Sequence, residues 1–488
     1  MKIAFVASEV FPYAKTGGLA DVAGTLPKEL EKLGHDLKVF MPKYNTFDEA
    51  EHGLHYQWDL GGIPVRVANR VHFVHVHKAL LPNSNVEIYF IDCPHFFHRF
   101  KIYTSDSDEG ERFVLFSKGV IEVLQRLQWA PNIIHCNDWQ AGLIPALVKE
   151  NYNWDRMFDA TSFVLTIHNI AYQGRFAKSV FESAELKFEH SQPGGAGEFE
   201  GGVSFLKMGI LFSEKINTVS ETYAKELLTP EYGAGMEGFI QLRKNDLSGI
   251  LNGIDYHIWD PETDKLLPYK YSANDFSGKL ENKKFLLKHL QLPFSENIPL
   301  IGIVSRMVVQ KGFDIFADAA NELLKLDAQW VILGSGEQIY EDLFTKFAHF
   351  FPQKVVVYLG FNNELAHLIE AGSDIFLMPS RYEPCGLNQL YSLKYGTVPV
   401  VRKTGGLADT VLDWNEFLTQ GLEIGTGYSF GEYSGKVLLH SVQRAVNDFR
   451  LKEVWRKIQL NGMNKDYSWG RSAKKYVVLY NQAKRQSL

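Results

Sequence analysis

Lysine beside paired glycines is the first combination in this chain that could do chemistry. The string KTGGLADV, Lys15 to Val22, nearly returns as KTGGLADT, Lys403 to Thr410. In each copy the glycines (Gly17 and Gly18; Gly405 and Gly406) permit close backbone approach, the helix that follows offers free N–H groups and a positive dipole end, and lysine adds a full charge. That combination suits phosphate. A plain strand-to-helix turn is the structural alternative for either copy alone. Neither copy has the P-loop spacing or the dinucleotide G-x-G-x-x-G pattern, so NAD and ATPase readings are weak. The Ser-Asp-Asn that accompanies Lys-Thr-Gly in penicillin-binding enzymes is also absent.

Arg306 and Lys311, in GIVSRMVVQKGFD, form a second basic pair. A planar guanidinium and a compact ammonium together suit a diphosphate, with a solvated loop pair as the alternative. Polar residues end other apolar runs: Asp138 in HCNDWQ, His168 and Asn169 in TIHNIAYQG, and Glu383 in MPSRYEPCGLNQL. Pro384 biases the Glu383 backbone away from α, and Cys385-Gly386 is expected to open a helix. No metal site is expected. The nearest Asp-x-Asp, Asp106 to Asp108, lies in a polar loop without a preceding strand and reads as a solvated turn.

These residues need elements to hold them, and the apolar runs supply the pattern. KIAFVASE, LKVFMPKY, VEIYFIDC, PNIIHCND, FVLTIHNI and KINTVSE each give way to a helix-like stretch. After a loop-rich interval near Asn252 the alternation restarts with IPLIGIVSRM, QWVILGSG, KVVVYLGF, SDIFLMPS and TVPVVRKTGG. Strands alternating with helices imply parallel β/α units covered on both faces. The expected architecture is therefore two doubly wound α/β domains joined near Asn252, with a β-ribbon insertion between Gly61 and His77. Ligands bind at the carboxyl ends of strands in such sheets. Each domain would then present one lysine-glycine turn to an interdomain cleft.

A chain of 488 residues with 45% hydrophobic and 22% charged residues can bury two cores. A net charge of −6 argues against a surface built for nucleic acid. Three cysteines, Cys93, Cys136 and Cys385, lack metal-like spacing and imply no disulfide framework. No apolar run approaches the roughly 20 residues of a membrane span, and the N-terminus carries no leader pattern. A cytoplasmic protein without membrane or nucleic-acid partners is expected.

The strings KTGGLADVAGTLPKEL, HCNDWQAGLIPALV, LTIHNIAYQG, YGAGMEGF, LNGIDYHIWDP, SRMVVQKGFD, PSRYEPCGLNQLYSLKYGTVPVVRKTGGLADTV and DYSWGRSAKKYVVLY together resemble bacterial glycogen synthase and plant starch synthase. The resemblance runs in order through nearly the whole chain. It implies the GT-B fold: two Rossmann-like domains, 1–251 completed by a C-terminal helix at 466–488, and 252–465, facing an interdomain cleft. It implies transfer of glucose, with retention, from ADP-glucose or another nucleoside diphosphate glucose to the nonreducing 4-hydroxyl of an α-1,4-glucan.

Carried over residue by residue, the resemblance has Lys15 contact the donor, with Gly17 and Gly18 near its phosphates and Asp21 supporting the turn. His168 would meet the transferred glucose, with Asp138 and Asn169 in the same pocket. Arg306 and Lys311 would grip the diphosphate. Glu383 and the backbone of Cys385, Gly386 and Leu387 would hold sugar hydroxyls, and Lys403, Thr404 and Gly405 would complete the nucleotide-sugar pocket. Cations and helix dipoles could stabilise the leaving group without a metal or cofactor. One departure stands out: the family commonly has threonine where this chain has Asn388. Competing readings are a pyridoxal-phosphate-dependent glucan phosphorylase, a nucleotide-sugar hydrolase and a non-catalytic glucan-binding protein.

Overall fold

The structure, a computed structural model, describes residues 1–484 and divides into two compact units. The first comprises Met1–Val219, Ala224–Gly253 and the chain from Trp469 onward; the second comprises Ser220–Tyr223 and Ile254–Ser468. The chain thus crosses between the units at Val219/Ser220, Tyr223/Ala224, Gly253/Ile254 and Ser468/Trp469.

In the first unit, strands β1 (Lys2–Val6), β2 (Asp36–Pro42), β3 (Ile63–Val67), β4 (Arg70–Leu80), β5 (Glu87–Asp92), β6 (Ile133–Asn137), β7 (Ser162–Ile167), β8 (Lys215–Thr218) and β9 (Leu247–Gly249) build the main sheet. Its order is β9-β8-β7-β6-β1-β2-β5-β4, with β3 and the short strand His55–Tyr56 both pairing to β4. All pairings from β9 to β5 are parallel. Every residue of β6 and β7 is buried, which explains why they read as unbroken apolar runs. The antiparallel β3/β4 ribbon is the insertion anticipated between Gly61 and His77. The chain runs outward to either side of β1, so the topological switch point lies between β1 and β6.

The second unit holds β10 (Leu300–Val304), β11 (Gln329–Gly334), β12 (Val355–Leu359), β13 (Ile375–Met378), β14 (Val398–Arg402) and β15 (Tyr428–Phe430). The order β12-β11-β10-β13-β14-β15 is parallel throughout, which is the doubly wound Rossmann arrangement, with its switch point between β10 and β13. Aromatic and aliphatic side chains such as Phe313, Phe316, Trp330 and Phe344 fill one face of this sheet; Leu286, Leu368, Ile369 and Phe376 fill the other.

The last described helix, Trp469–Ala483, packs on the first unit. Trp469, Ala473, Tyr476, Leu479, Tyr480 and Ala483 form its buried stripe, the i, i+3, i+4 spacing of an amphipathic helix. Its two tyrosine hydroxyls reach polar groups of the sheet: Asn217 Nδ2 donates to Tyr476 at 3.1 Å, and His135 Nδ1 lies 2.8 Å from Tyr480. Residues 485–488, part of the helix expected at 466–488, lie outside the described residues.

Candidate active site

In the first unit the expected residues collect at the carboxyl ends of β1, β6 and β7, around the switch point. A segment of loop separates β1 from Lys15, and helix α1 (Gly18–Lys32) starts within the glycine pair. Lys15 Nζ pairs with Asp21 at 2.7 Å. A Cβ placed on Gly17 or Gly18 would meet nothing within 4 Å, so this turn borders open space.

The buried carboxylate of Glu9 holds the turn from behind. It accepts from the backbone N–H of Thr16, from Thr16 Oγ1 at 2.6 Å, from the Gly17 N–H at 3.2 Å and from Tyr103 Oη at 2.6 Å. Part of the N–H array assigned to phosphate therefore already has an anion. Sequence reasoning missed Glu9 and Tyr103. The signal was there for Glu9: it ends the apolar run KIAFVASE as Asp138 ends the run before it.

Asp138 follows β6 with φ 56° and ψ −172°, a backbone conformation that non-glycine residues rarely adopt. Its Oδ1 accepts from the His168 N–H at 2.7 Å, and Asn169 donates a second backbone N–H. Asp138 is thus a clamp on the β7 exit loop. His168 Nε2 lies 2.9 Å from Asn137 Oδ1, and Asn169 Oδ1 accepts from the Ala171 N–H at 3.0 Å, which closes a local turn. Burial holds the His168 imidazole down to about 3, so the ring is neutral at physiological pH.

In the second unit a cavity of about 200 Å³ opens at the switch point, between the ends of β10 and β13. Arg306, Lys311, Glu383, Gly386, Leu387 and Asn388 line it. Lys311 Nζ sits 2.6 Å from Glu383 Oε2, and that same oxygen accepts from Ser380 Oγ at 3.0 Å. Among the described residues the exposed Arg306 side chain has no hydrogen-bond or ion-pair partner. The cavity therefore offers one unpaired cation and one cation held by a buried carboxylate. Asn388 donates through Nδ2 to the carbonyl of Val304, the last residue of β10, at 2.7 Å. The helix expected from Cys385-Gly386 begins at Asn388 and runs to Lys394, because Gly386 adopts φ 72° and delays it.

Cys385 is buried behind the cavity wall. The second lysine-glycine turn lies behind it too. A Cβ on Gly405 would come within 1.9 Å of the Glu383 carbonyl oxygen, and one on Gly406 within 2.0 Å of that of Cys385. Thr404 is buried, and Lys403 pairs with Glu416 on its own helix-bearing segment. This copy supports the loop that carries Glu383 instead of lining the cavity. Asp409, the counterpart of Asp21, accepts from the N–H and hydroxyl of Thr222. Elsewhere, Arg99 pairs with both Asp106 and Asp108, and among the described residues no group of three His, Cys, Asp or Glu is arranged to hold a metal ion.

Two Rossmann-like units, each with its polar residues at the strand exits of a switch point, are an arrangement that GT-B glycosyltransferases share, and the matches to known proteins place the chain in that class. Residues 2–242 match the starch synthase catalytic domain, and residues 287–459 match glycosyl transferases group 1. The chain is 44% identical to a glycogen synthase of Desulforudis audaxviator over 99% of this chain and 96% of that protein. It is also 44% identical to a glycogen synthase of Thermotoga maritima, over 99% of each. The solved catalytic domain of starch synthase IV from Arabidopsis thaliana, bound to ADP and acarbose, superposes with a TM-score of 0.89 at 32% identity over 99% of both chains. A sucrose-phosphate synthase from Thermosynechococcus elongatus shares the fold, with a TM-score of 0.62 at 15% identity over 99% of this chain and 98% of that one. The chain belongs to the glycogen synthase and starch synthase family.

The Asp138 clamp leads us to expect a pH dependence at this site. Burial pushes its carboxyl up to about 7, against the downward pull of the His168 and Asn169 N–H donors. Above that pH the anion accepts both bonds; below it, protonation weakens them while His168 stays neutral. We expect kcat/KM to fall as pH drops through about 7, and Asp138→Asn, which accepts without titrating, to flatten that limb. Parallel pH–rate profiles check this.

Proposed function

We propose that the protein elongates an α-1,4-glucan by transferring glucose from ADP-glucose to the nonreducing 4-hydroxyl with retention of configuration. The observation that carries this reading is the switch-point cavity, where unpaired Arg306 stands beside the Lys311–Glu383 pair. The starch synthase relative solved with bound ADP and acarbose supports a nucleotide donor and a glucan acceptor.

In the proposed reaction the bond from the anomeric carbon to the diphosphate oxygen breaks. Arg306 and Lys311 stabilise the negative charge that develops on that oxygen. The acceptor hydroxyl attacks the same face, and its proton passes to the departing phosphate. Glu383 positions Lys311 and stabilises positive charge on the sugar. The reading assigns His168 a contact to the glucose and Lys15 a contact to the donor. The cations supply the stabilisation a metal would give, so the reading includes no metal or cofactor. Three buried cysteines that form no disulfide fit a cytoplasmic setting, and no helix among the described residues is long and apolar enough to cross a membrane.

Transfer of labelled glucose into glycogen tests the proposal, with ADP-glucose and UDP-glucose offered separately, EDTA present, and acceptor omitted as control. Acceptor-dependent incorporation from ADP-glucose that survives EDTA is the expected result. Glucose released without acceptor would identify a hydrolase, and incorporation abolished by EDTA would overturn the metal-free mechanism.

A further inference from the structure

Asn137 meets His168 in a way that decides which imidazole nitrogen carries the proton. Asn137 is the fully buried last residue of β6. Its Nδ2 lies 3.0 Å from the carbonyl oxygen of Val6 and 3.4 Å from that of His135. A backbone carbonyl can only accept, so the NH2 side of the amide must face these oxygens. The amide oxygen is thereby turned toward His168, 2.9 Å from Nε2. An acceptor at that position requires hydrogen on Nε2. In the neutral ring, Nδ1 then keeps its lone pair.

We propose that Asn137 is a positioning residue that locks His168 in the Nε2–H tautomer, so that the ring presents a hydrogen-bond acceptor at Nδ1 to a sugar hydroxyl. The sugar half of this statement rests on the transferase reading above; the tautomer does not. The lock is anchored in backbone. Val6 ends β1, Asn137 ends β6, and the two strands pair in parallel with Val6 opposite Cys136. Register between the strands that flank the switch point thus fixes the amide, and the amide fixes the ring. Burial keeps the imidazole neutral, which preserves the lone pair. His168 therefore holds a substrate hydroxyl as an acceptor and does not act as a proton donor through Nδ1.

Nitrogen NMR of the full chain labelled with 15N-histidine tests the lock, with His168→Gln identifying the signal by its loss. We expect a protonated Nε2 and an unprotonated Nδ1 from about pH 8 to about pH 5. Asn137→Asp keeps an acceptor beside Nε2 but makes it anionic, which favours the imidazolium. In that variant His168 should take up a second proton within the same range, and kcat/KM should fall at least about tenfold. Affinity for ADP should be unchanged. If this variant does not fold, the wild-type spectrum decides alone. A wild-type proton on Nδ1 at neutral pH overturns the proposal, as does a folded Asn137→Asp protein with unaltered His168 signals and kcat/KM. A correct tautomer in a protein that transfers no glucose would count against the transferase reading and leave the lock standing.

Discussion

Replacing Glu383 with glutamine is expected to lower kcat about 10²–10³-fold while ADP binds as well as before or better. The geometry makes this substitution a clean removal of charge. Lys311 Nζ and Ser380 Oγ both bond to the same oxygen, Oε2, and a glutamine carbonyl can occupy that place and accept from both. Lys311 keeps its position but loses its neutralising anion. Its positive charge then acts more fully on a bound diphosphate, which opposes any loss of donor affinity. What disappears is the negative charge that a buried carboxylate brings to a sugar developing positive charge, in a setting where water screens little. Steady-state kinetics with ADP-glucose, together with calorimetric titration of ADP, separate the two quantities. A near-normal kcat would remove the Glu383 carboxylate from the reaction and leave it as a tether for Lys311.

The sheet strands of both units were legible because parallel strands buried on both faces leave continuous apolar runs. Ile133–Asn137 and Ser162–Ile167 are buried at every position, and both stood out in the sequence. Tyr428–Phe430 and Leu247–Gly249 did not, since three residues carry no period. Residues at strand exits were legible for a related reason: a polar group directly after an apolar run has to face the rim of the sheet. Their partners were not. Nothing local in the sequence joins Lys311 to Glu383 across 72 positions, Glu9 to Tyr103 across 94, or Asn388 to the Val304 carbonyl across 84. Those pairings arise only when distant strand exits are brought to one end of a sheet. The repeated KTGGLAD phrase shows the same limit, for identical residues face open space in one unit and a packed loop in the other.

That difference can be measured by making one substitution in both copies. Gly405 has φ 44°, where an L-residue costs about 1–2 kcal/mol, and its added methyl would lie 1.9 Å from the Glu383 carbonyl oxygen. The oxygen cannot easily retreat, because it and the Pro384 carbonyl each accept from the Gly406 N–H at 3.2 Å. Gly405→Ala is therefore expected to destabilise the second unit by about 3 kcal/mol and displace Glu383 from Lys311, with kcat falling alongside. Gly17 is extended, at φ −151° and ψ −165°, and an added Cβ meets nothing within 4 Å. Gly17→Ala should leave thermal unfolding unchanged within about 0.5 kcal/mol. The transferase reading assigns Gly17 a place near the donor phosphates, so the effect should appear as a higher KM for ADP-glucose. Thermal unfolding and steady-state kinetics of the two variants make the comparison. An equal loss of stability in both would mean that the first turn is packed like the second. A Gly17→Ala protein with normal stability and normal KM would mean that the open turn borders solvent and not the donor.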